Sequence, residues 1–455
     1  MVSSEVGKIL QLVTIWEPFV PIPDLPVYSE EVVAASPWNH RVREARIQVQ
    51  LAGRPGMPIY RNARFLAAVV LTVVVAYFLF RYSAEVRKNV AVRDSIAYWA
   101  SARLLITHQN PYDPATVFAL ERTAGYTEGR PLVLRTPPWS LFMVLPLGQL
   151  SPFLAWAAWL AILVACLVVG LRLTRKLYDL GFNQQTIFPL IAYTFAPVAA
   201  CLVSGQMGLV LMLGIILFLF FEQEHPFFAG AALILPFAKP HLLSLFWFVF
   251  AIWVVAKRKT LLALGFISAF TAATLIALFF DYHVFANYRE MLQVAAIQKE
   301  FIPAFSGVLR LLFFRRFFWL QFVPLGIGIV WTVRYAIRNW PAWDWRVHGP
   351  ALLVVSVLTT PYEWLSDETV LIPSILQAVA LVYSVRGKLK PASKVMLSFF
   401  ALLNVLLLLI LRFKIPFSTG IYFWSSLVWF GFYFYTQKLY RRGALSSERA
   451  VDGRA

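Results

Sequence analysis

The sequence predicts an all-α, polytopic membrane protein, and three observations carry that prediction. The hydrophobic fraction is 60% and the mean hydropathy is +0.67, well above a soluble globular domain. The apolar residues gather into runs of bilayer-spanning length, which recur to the C-terminus. Those runs are continuous, whereas a membrane barrel would alternate polar and apolar residues.

The runs are Phe65–Phe80, Phe153–Gly170, Ile187–Val203, Met207–Phe221, Phe227–Phe237, Leu242–Val255, Leu261–Phe280, Phe317–Val333, Gly349–Thr360, Thr369–Val385, Val395–Leu411 and Ile421–Phe434. They give about twelve spans, several of them short and ended by proline or glycine. Trp139–Leu150 is too short to cross and contains Pro146; it reads as re-entrant or as part of its neighbour. Residues 1–63 read as a cytoplasmic N-terminal extension, residues 64–436 as the membrane domain and residues 437–455 as a cytoplasmic tail. The first residues lack the basic region and apolar core of a cleavable signal.

Charge placement sets the orientation. Arg172, Arg175 and Lys176 follow the second span, and Lys257, Arg258 and Lys259 the sixth. Arg334, Arg338 and Arg346 follow the eighth, Arg386, Lys388, Lys390 and Lys394 the tenth, and Lys438, Arg441 and Arg442 the twelfth. All fall on one side if Trp139–Leu150 does not cross, and the excess of Lys and Arg marks that side as cytoplasmic. The same retention of cations accounts for the net charge of +18, so nucleic acid is not an expected partner. Cys166 and Cys201 lie inside apolar runs and imply neither a disulfide framework nor a zinc site.

This orientation puts the polar interruptions on the outer face. They are the first outer loop (81–138), the Ser204-Gly205-Gln206 turn, Lys239, the segment 281–316 and Pro361–Glu368. In the first loop, Ile96, Trp99, Leu104 and Leu105 recur at roughly helical spacing around Arg93, Ser101 and Arg103, the pattern of an amphipathic helix lying along the interface. Asp94 begins it. Asp is favoured at helix N-termini, so a cap is one reading. The other is a general base, since a carboxylate near apolar surface has its pKa raised towards useful values. Asp113, in Asn110-Pro111-Tyr112-Asp113-Pro114, reads as turn chemistry.

Lys239 stands between two apolar runs with Pro240 and His241 behind it. Ionisable residues at membrane depth are costly and mark function, here a cation for a phosphate; snorkelling to the interface is the bland reading. Gln206 lies in a tight hairpin, where its amide suits sugar hydroxyls. Tyr362, Glu363 and Asp367 lie in a stretch with three acids and two aromatics at one span boundary, more than membrane anchoring needs. There is no Gly-rich phosphate loop, His-Glu-x-x-His or Gly-x-Ser-x-Gly. No Asp-x-Asp pair accompanies Asp94, so neither a metal nor another cofactor is expected.

Taken in order, several segments resemble the polyprenyl-phosphate-mannose-dependent mannosyltransferases of glycosyltransferase family 87, within the C-type membrane glycosyltransferases. They are Asp94, Asn110-Pro111-Tyr112-Asp113, Thr136-Pro137-Pro138-Trp139, Gly205-Gln206, Lys239-Pro240, Phe305-Ser306-Gly307 before Arg310, and Thr360-Pro361-Tyr362 leading to Asp367. The resemblance covers about residues 64–436. It implies the C-type fold and a cell-membrane enzyme whose site faces the periplasm or exterior. The implied partners are a polyprenyl-phosphate sugar donor, usually of mannose, a lipid-linked glycan or glycolipid acceptor, and membrane lipids. It implies inversion at the anomeric carbon with Asp94 as base. Lys239, Arg93, Arg135 and Arg310 are then candidates to hold the donor phosphate, and Gln206, His241, Tyr362, Glu363 and Asp367 to hold sugar or acceptor. The sequence departs from the family at Pro303-Ala304-Phe305, where relatives often carry a polar residue, and at Pro361–Glu368, which has no histidine. The competing readings are a lipid or polyol transporter and a non-catalytic subunit of an envelope-assembly complex. A transporter would place ionisable groups at the bilayer midplane and show internal repeats; no convincing repeat is visible.

Overall fold

The computed structural model describes residues 93–178, 187–294, 304–312, 317–384, 391–413 and 420–452. The proposed first span, Phe65–Phe80, and the N-terminal extension lie outside the described residues. The described residues fall into two units by contact, those of 93–337 and 343–452 and, apart from them, Arg338–Ala342. The site lies in the first of these. Every regular element among the described residues is helical.

Four helical stretches have the length and apolarity to cross a membrane: Pro152–Leu177, Thr260–Phe280, Phe318–Ala342 and Lys394–Arg412. A fifth candidate is the pair Pro226–Ala238 and Pro240–Ala256, which meets at a bend of 115°. The outward faces of these helices carry large apolar side chains, such as Leu264, Ile267, Leu275 and Phe279 on one and Val395, Phe399, Leu402 and Leu409 on another. So much exposed apolar surface suits lipid, not water. Other expected spans are shorter in the structure. Ile187–Val203 is divided at Phe195, where Pro197 opens a new helix. Gly208–Phe221, of 14 residues, extends only about 21 Å.

We number α1 Ser95–Ile106, α2 Pro114–Thr123, α3 Pro152–Leu177, α4 Ile187–Thr194, α5 Ala196–Ser204, α6 Gly208–Phe221, α7 Pro226–Ala232, α8 Ser244–Ala256, α9 Thr260–Phe280, α10 Val284–Val294, α11 Phe305–Leu312, α12 Val323–Asn339, α13 Trp345–Thr359, α14 Ile372–Ser384, α15 Pro391–Arg412 and α16 Ser425–Asp452. α16 runs unbroken past residue 436, where the sequence suggested a tail.

α1 departs from expectation. It is not an amphipathic surface helix, because Ser95–Ala102, Leu104 and Leu105 are all buried. The small side chains of Ala97, Ala100 and Ala102, invisible to a search for bulky apolar spacing, let neighbours close over the second face. Trp139–Leu150 forms two consecutive 3-10 helices, Pro138–Met143 and Leu145–Gln149, and covers that face. Trp99 Nε1 donates to Leu150 O at 2.9 Å, and Arg103 Nη1 to Gly148 O at 3.0 Å.

α6 is the buried axis of the described region, enclosed by α3, α7, α13 and the Asp367–Leu371 turn. At its C-terminal end Arg346 donates to Leu219 O and Phe220 O, both at 3.3 Å, and Lys259 pairs with Glu222 at 3.0 Å. Cations there satisfy the last carbonyls and the negative end of the helix dipole. Its N-terminal end lies on the site, so the two chemistries are a helix length apart. α7 packs closely on α9 through facing glycines: a Cβ on Gly230 would lie 2.0 Å from Leu262 O, and one on Gly265 2.0 Å from Phe227 O. Small residues at helix crossings allow this approach in membranes.

Candidate active site

The site begins with a turn. α5 ends at Gly205, whose φ of 75° is left-handed, a conformation that glycine adopts without steric cost. The N–H groups of Gly205 and Gln206 both donate to Cys201 O, at 2.9 and 3.1 Å. Trp159 Nε1 of α3 donates to Gly205 O at 2.7 Å. A Cβ on Gly205 would lie 2.9 Å from Ser95 Cβ, so the turn needs glycine for space as well as for angle. Asp94 N donates to Ser204 O at 2.9 Å, which fastens the start of α1 to this turn.

Asp94 occupies the N-cap position of α1 but makes no side-chain cap hydrogen bond. Its Oδ2 instead accepts from Gln206 Nε2 at 2.6 Å. The other end of that amide is occupied too. Gln206 Oε1 accepts from Tyr98 Oη at 3.0 Å and from Lys239 Nζ at 3.3 Å. Lys239 Nζ also bonds Asp367 Oδ1 at 2.6 Å, and Asp367 Oδ2 accepts from Trp364 N at 3.2 Å. A continuous chain of hydrogen bonds therefore runs Asp94–Gln206–Lys239–Asp367, built from four segments distant in sequence.

Each link has a local cause. Tyr98 is one helical turn beyond Asp94, on the same face, and its ring packs edge-on against Trp159 at 5.4 Å. Lys239 sits where Pro240 interrupts the bent pair. The turn before it is held by Trp139, which stacks on Phe237 at 5.6 Å and donates Nε1 to Phe237 O at 3.0 Å. Asp367 starts a 3-10 turn and is fully buried. A buried carboxylate and ammonium are tolerable only when paired and hydrogen-bonded, and these two meet that condition.

Asp94 is half-buried. Burial is the largest influence on its carboxyl group and raises the pKa above the ordinary value. The Gln206 hydrogen bond and the Lys239 charge hold it down, and Asp367 pushes it up. Asp94 and Asp367 thus share the Lys239 charge and repel each other. Asp113, a second aspartate of the loop, behaves oppositely. Slight burial pushes it up, but hydrogen bonds from Thr116 and Ala115 outweigh this and its pKa is lowered. Its Oδ2 accepts from Thr116 N at 2.9 Å, an N-cap for α2.

The remaining candidates lie around this chain in varying degrees of contact. Arg93 precedes Asp94 and donates to Val203 O. His241 packs edge-on against Tyr362 at 5.5 Å, and its Nε2 is buried without a hydrogen-bond partner. Tyr362 Oη accepts from Trp364 Nε1 at 3.0 Å. Arg310 bonds Gln321 Oε1 at 3.3 Å, and Gln321 Nε2 donates to Pro361 O, so α11 is tethered to the loop that carries Asp367. Arg135 contributes its carbonyl to Tyr288 Oη at 3.4 Å. Glu363 is buried with Oε2 unpartnered. Its neighbour Glu368 is pinned to α16 by Ser425 Oγ and by Trp429 Nε1 at 2.7 Å. Among the described residues, no three His, Cys, Asp or Glu side chains are placed to share a metal ion.

The profile of glycosyltransferase family 87 matches residues 136–409, more than half of the 455-residue chain. The chain belongs to glycosyltransferase family 87. No curated protein and no solved structure matches it. Membership makes this a membrane glycosyltransferase, with a sugar donor, an acceptor and membrane lipids as its partners. The matched region holds Gln206, Lys239, His241, Arg310, Tyr362, Glu363 and Asp367, whereas Arg93, Asp94 and Arg135 precede it. Tyr98 and Trp159 of this glycosyltransferase were not singled out from sequence. The four-residue interval from Asp94 was the signal that could have found Tyr98; nothing distinguished Trp159 from an ordinary apolar residue of a span.

Proposed function

We propose that this glycosyltransferase moves mannose from a polyprenyl-phosphate donor to a hydroxyl of a lipid-linked glycan or glycolipid at the outer leaflet of the cell membrane, with inversion. The observation that carries the reading is the half-buried Asp94 carboxylate, held by one oxygen on Gln206 beside a buried Lys239–Asp367 pair. In the reaction Asp94 takes the proton of the acceptor hydroxyl as that oxygen bonds to the anomeric carbon. The carbon–oxygen bond to the lipid phosphate breaks, and the phosphate leaves with the electron pair. A phosphate needs little general-acid help, so alignment and a cation are what remain to be supplied.

Lys239 has three N–H donors, of which Asp367 and Gln206 use two. The third is offered to the donor phosphate, assisted by Arg93, Arg135 and Arg310. Tyr362 and His241 line the sugar in this reading, which their mutual packing supports. The outward orientation is supported by the cations Arg346 and Lys259 at the far end of α6 from Gln206, in keeping with the positive-inside rule.

The test is transfer of radiolabelled mannose from polyprenyl-phosphate mannose to extracted lipid acceptors in reconstituted vesicles. Asp94→Asn should lower transfer by roughly 10²–10⁴-fold, the contribution of a positioned base, with membrane insertion unchanged. A fully active Asp94→Asn enzyme would sink the mechanism.

A further inference from the structure

Gln206 was expected to touch the sugar, but its amide is already engaged at both ends. Oε1 receives two donors, Tyr98 Oη and Lys239 Nζ, and Nε2 reaches Asp94 Oδ2 at 2.6 Å. The amide cannot turn over. Reversal would set its NH2 group against the Lys239 ammonium and its oxygen against the Asp94 carboxylate. One oxygen of Asp94 is therefore fixed in place. The other, Oδ1, accepts no hydrogen bond among the described residues.

We propose that Gln206, locked by Tyr98 and Lys239, is the positioning residue for the base, holding Asp94 Oδ2 so that Oδ1 faces the acceptor hydroxyl. The proposal rests on the reading of Asp94 as base. It gives the Lys239–Asp367 pair a second task, because an ammonium only donates and so faces the amide oxygen, and the bond to Asp367 holds that ammonium in place. Among the described residues, the titratable groups facing Asp94 are Arg93 beside it, Tyr98 one turn on, Lys239 at the helix bend, Asp367 on the loop before α14, and Tyr126 of the outer loop. Of these and Gln206, the amide hydrogen bond is the strongest influence favouring the charged carboxylate.

The test compares Gln206→Leu, Gln206→Glu and Tyr98→Phe with the unaltered enzyme, reading kcat, KM for acceptor and donor, and the pH profile of kcat/KM. Both Gln206 variants should lose at least about tenfold in kcat, within the roughly 10²–10⁴-fold that a positioned base supplies, with both KM values within about twofold. The acid limb of the profile should move to higher pH in both. Gln206→Leu removes a bond to the charged form, and Gln206→Glu adds a second carboxylate, which raises one pKa of the pair by about one unit or more. Tyr98→Phe keeps the packing on Trp159 and should show a smaller shift in the same direction, so the proposal is tested even where the Gln206 variants fold poorly. A raised KM with an unmoved acid limb would make Gln206 a sugar contact and overturn the proposal, as would unchanged kinetics. Asp94→Asn, assayed alongside, separates the two levels: an active Asp94→Asn enzyme removes the base, whereas an inactive one with unmoved Gln206 and Tyr98 profiles removes only the positioning role.

Discussion

Lys239→Met isolates the energetics of the buried pair. Asp367 is fully buried and meets Lys239 Nζ at 2.6 Å, and its other partner is Trp364 N at 3.2 Å. Without the ammonium, Asp367 keeps a single neutral hydrogen bond and must hold its charge unpaired or take up a proton. Removing one partner of a buried ion pair costs about 3–5 kcal/mol, whereas replacing both with well-packed apolar groups is often neutral. Lys239→Met and Asp367→Leu should each destabilise on that scale, and the double variant should recover most of the loss. The interaction free energy around the cycle should then be about 4 kcal/mol or more, above the usual range of roughly 0.5–3 kcal/mol for residues in one network. Reversible unfolding in mixed detergent micelles, followed by tryptophan fluorescence, measures all three. Single variants that cost no more than about 0.5 kcal/mol and add independently would show the pair to be as weak as an exposed salt bridge, and the argument from burial would fail.

Two further predictions concern the elements that support the site. Gly205→Ala must hold φ at 75°, a penalty of about 1–2 kcal/mol for a side-chain-bearing residue, and its Cβ would crowd Ser95; because Asp94 N is bonded to Ser204 O, transfer activity should fall more than the melting temperature, and a fully active variant would contradict the turn's role. Glu121 of α2 is buried with both carboxylate oxygens on Leu132 N, at 3.2 and 3.1 Å, and burial raises its pKa to about 7. A raised folded-state pKa gives stability that is present in full below the unfolded value of 4.5 and is lost as pH rises through about 7. Protection of residues 125–134 from hydrogen exchange, corrected for the intrinsic rate, should therefore decline across that window in the native protein and stay level in Glu121→Gln; equal pH dependence in both would refute the assignment.

Particular residues show what the sequence could convey. Continuous apolar runs made the helical membrane class plain, because hydrocarbon leaves few solutions for the backbone. The ordered motifs from Thr136 to Asp367 resembled the family whose profile matches. Lys239 and Asp367 each stood out as polar groups in apolar surroundings. Their bond did not, since a sequence lists such groups without saying which pairs are adjacent. Asp94 read as base in preference to cap, and where its side chain points was not legible: its carboxylate bonds Gln206, 112 residues away, and not the backbone of α1. α1 was misjudged because alanine and serine, which a hydrophobic-spacing argument passes over, line the face that other segments cover. Phe227–Phe237 and Leu242–Val255, counted as two spans, meet in one bent pair. Length along the chain is legible, but a bend of 115° at Lys239-Pro240 depends on Trp139 and Phe237 meeting from afar.

The hydrogen-bond chain also constrains how the protein is made. Lys239 emerges from the ribosome 128 residues before Asp367, which at about 5–20 residues per second is roughly 6–26 s of synthesis. During that interval its ammonium has no carboxylate to meet, and an unpaired cation is poorly tolerated in hydrocarbon. The bend at Lys239 must therefore stay within reach of water or the insertion machinery until the loop before α14 arrives. Final seating of the bent pair, and with it the orientation of Gln206 against Asp94, is a late event of biogenesis. A chain that stalls before residue 367 carries every helix of the first half and an incomplete hydrogen-bond chain.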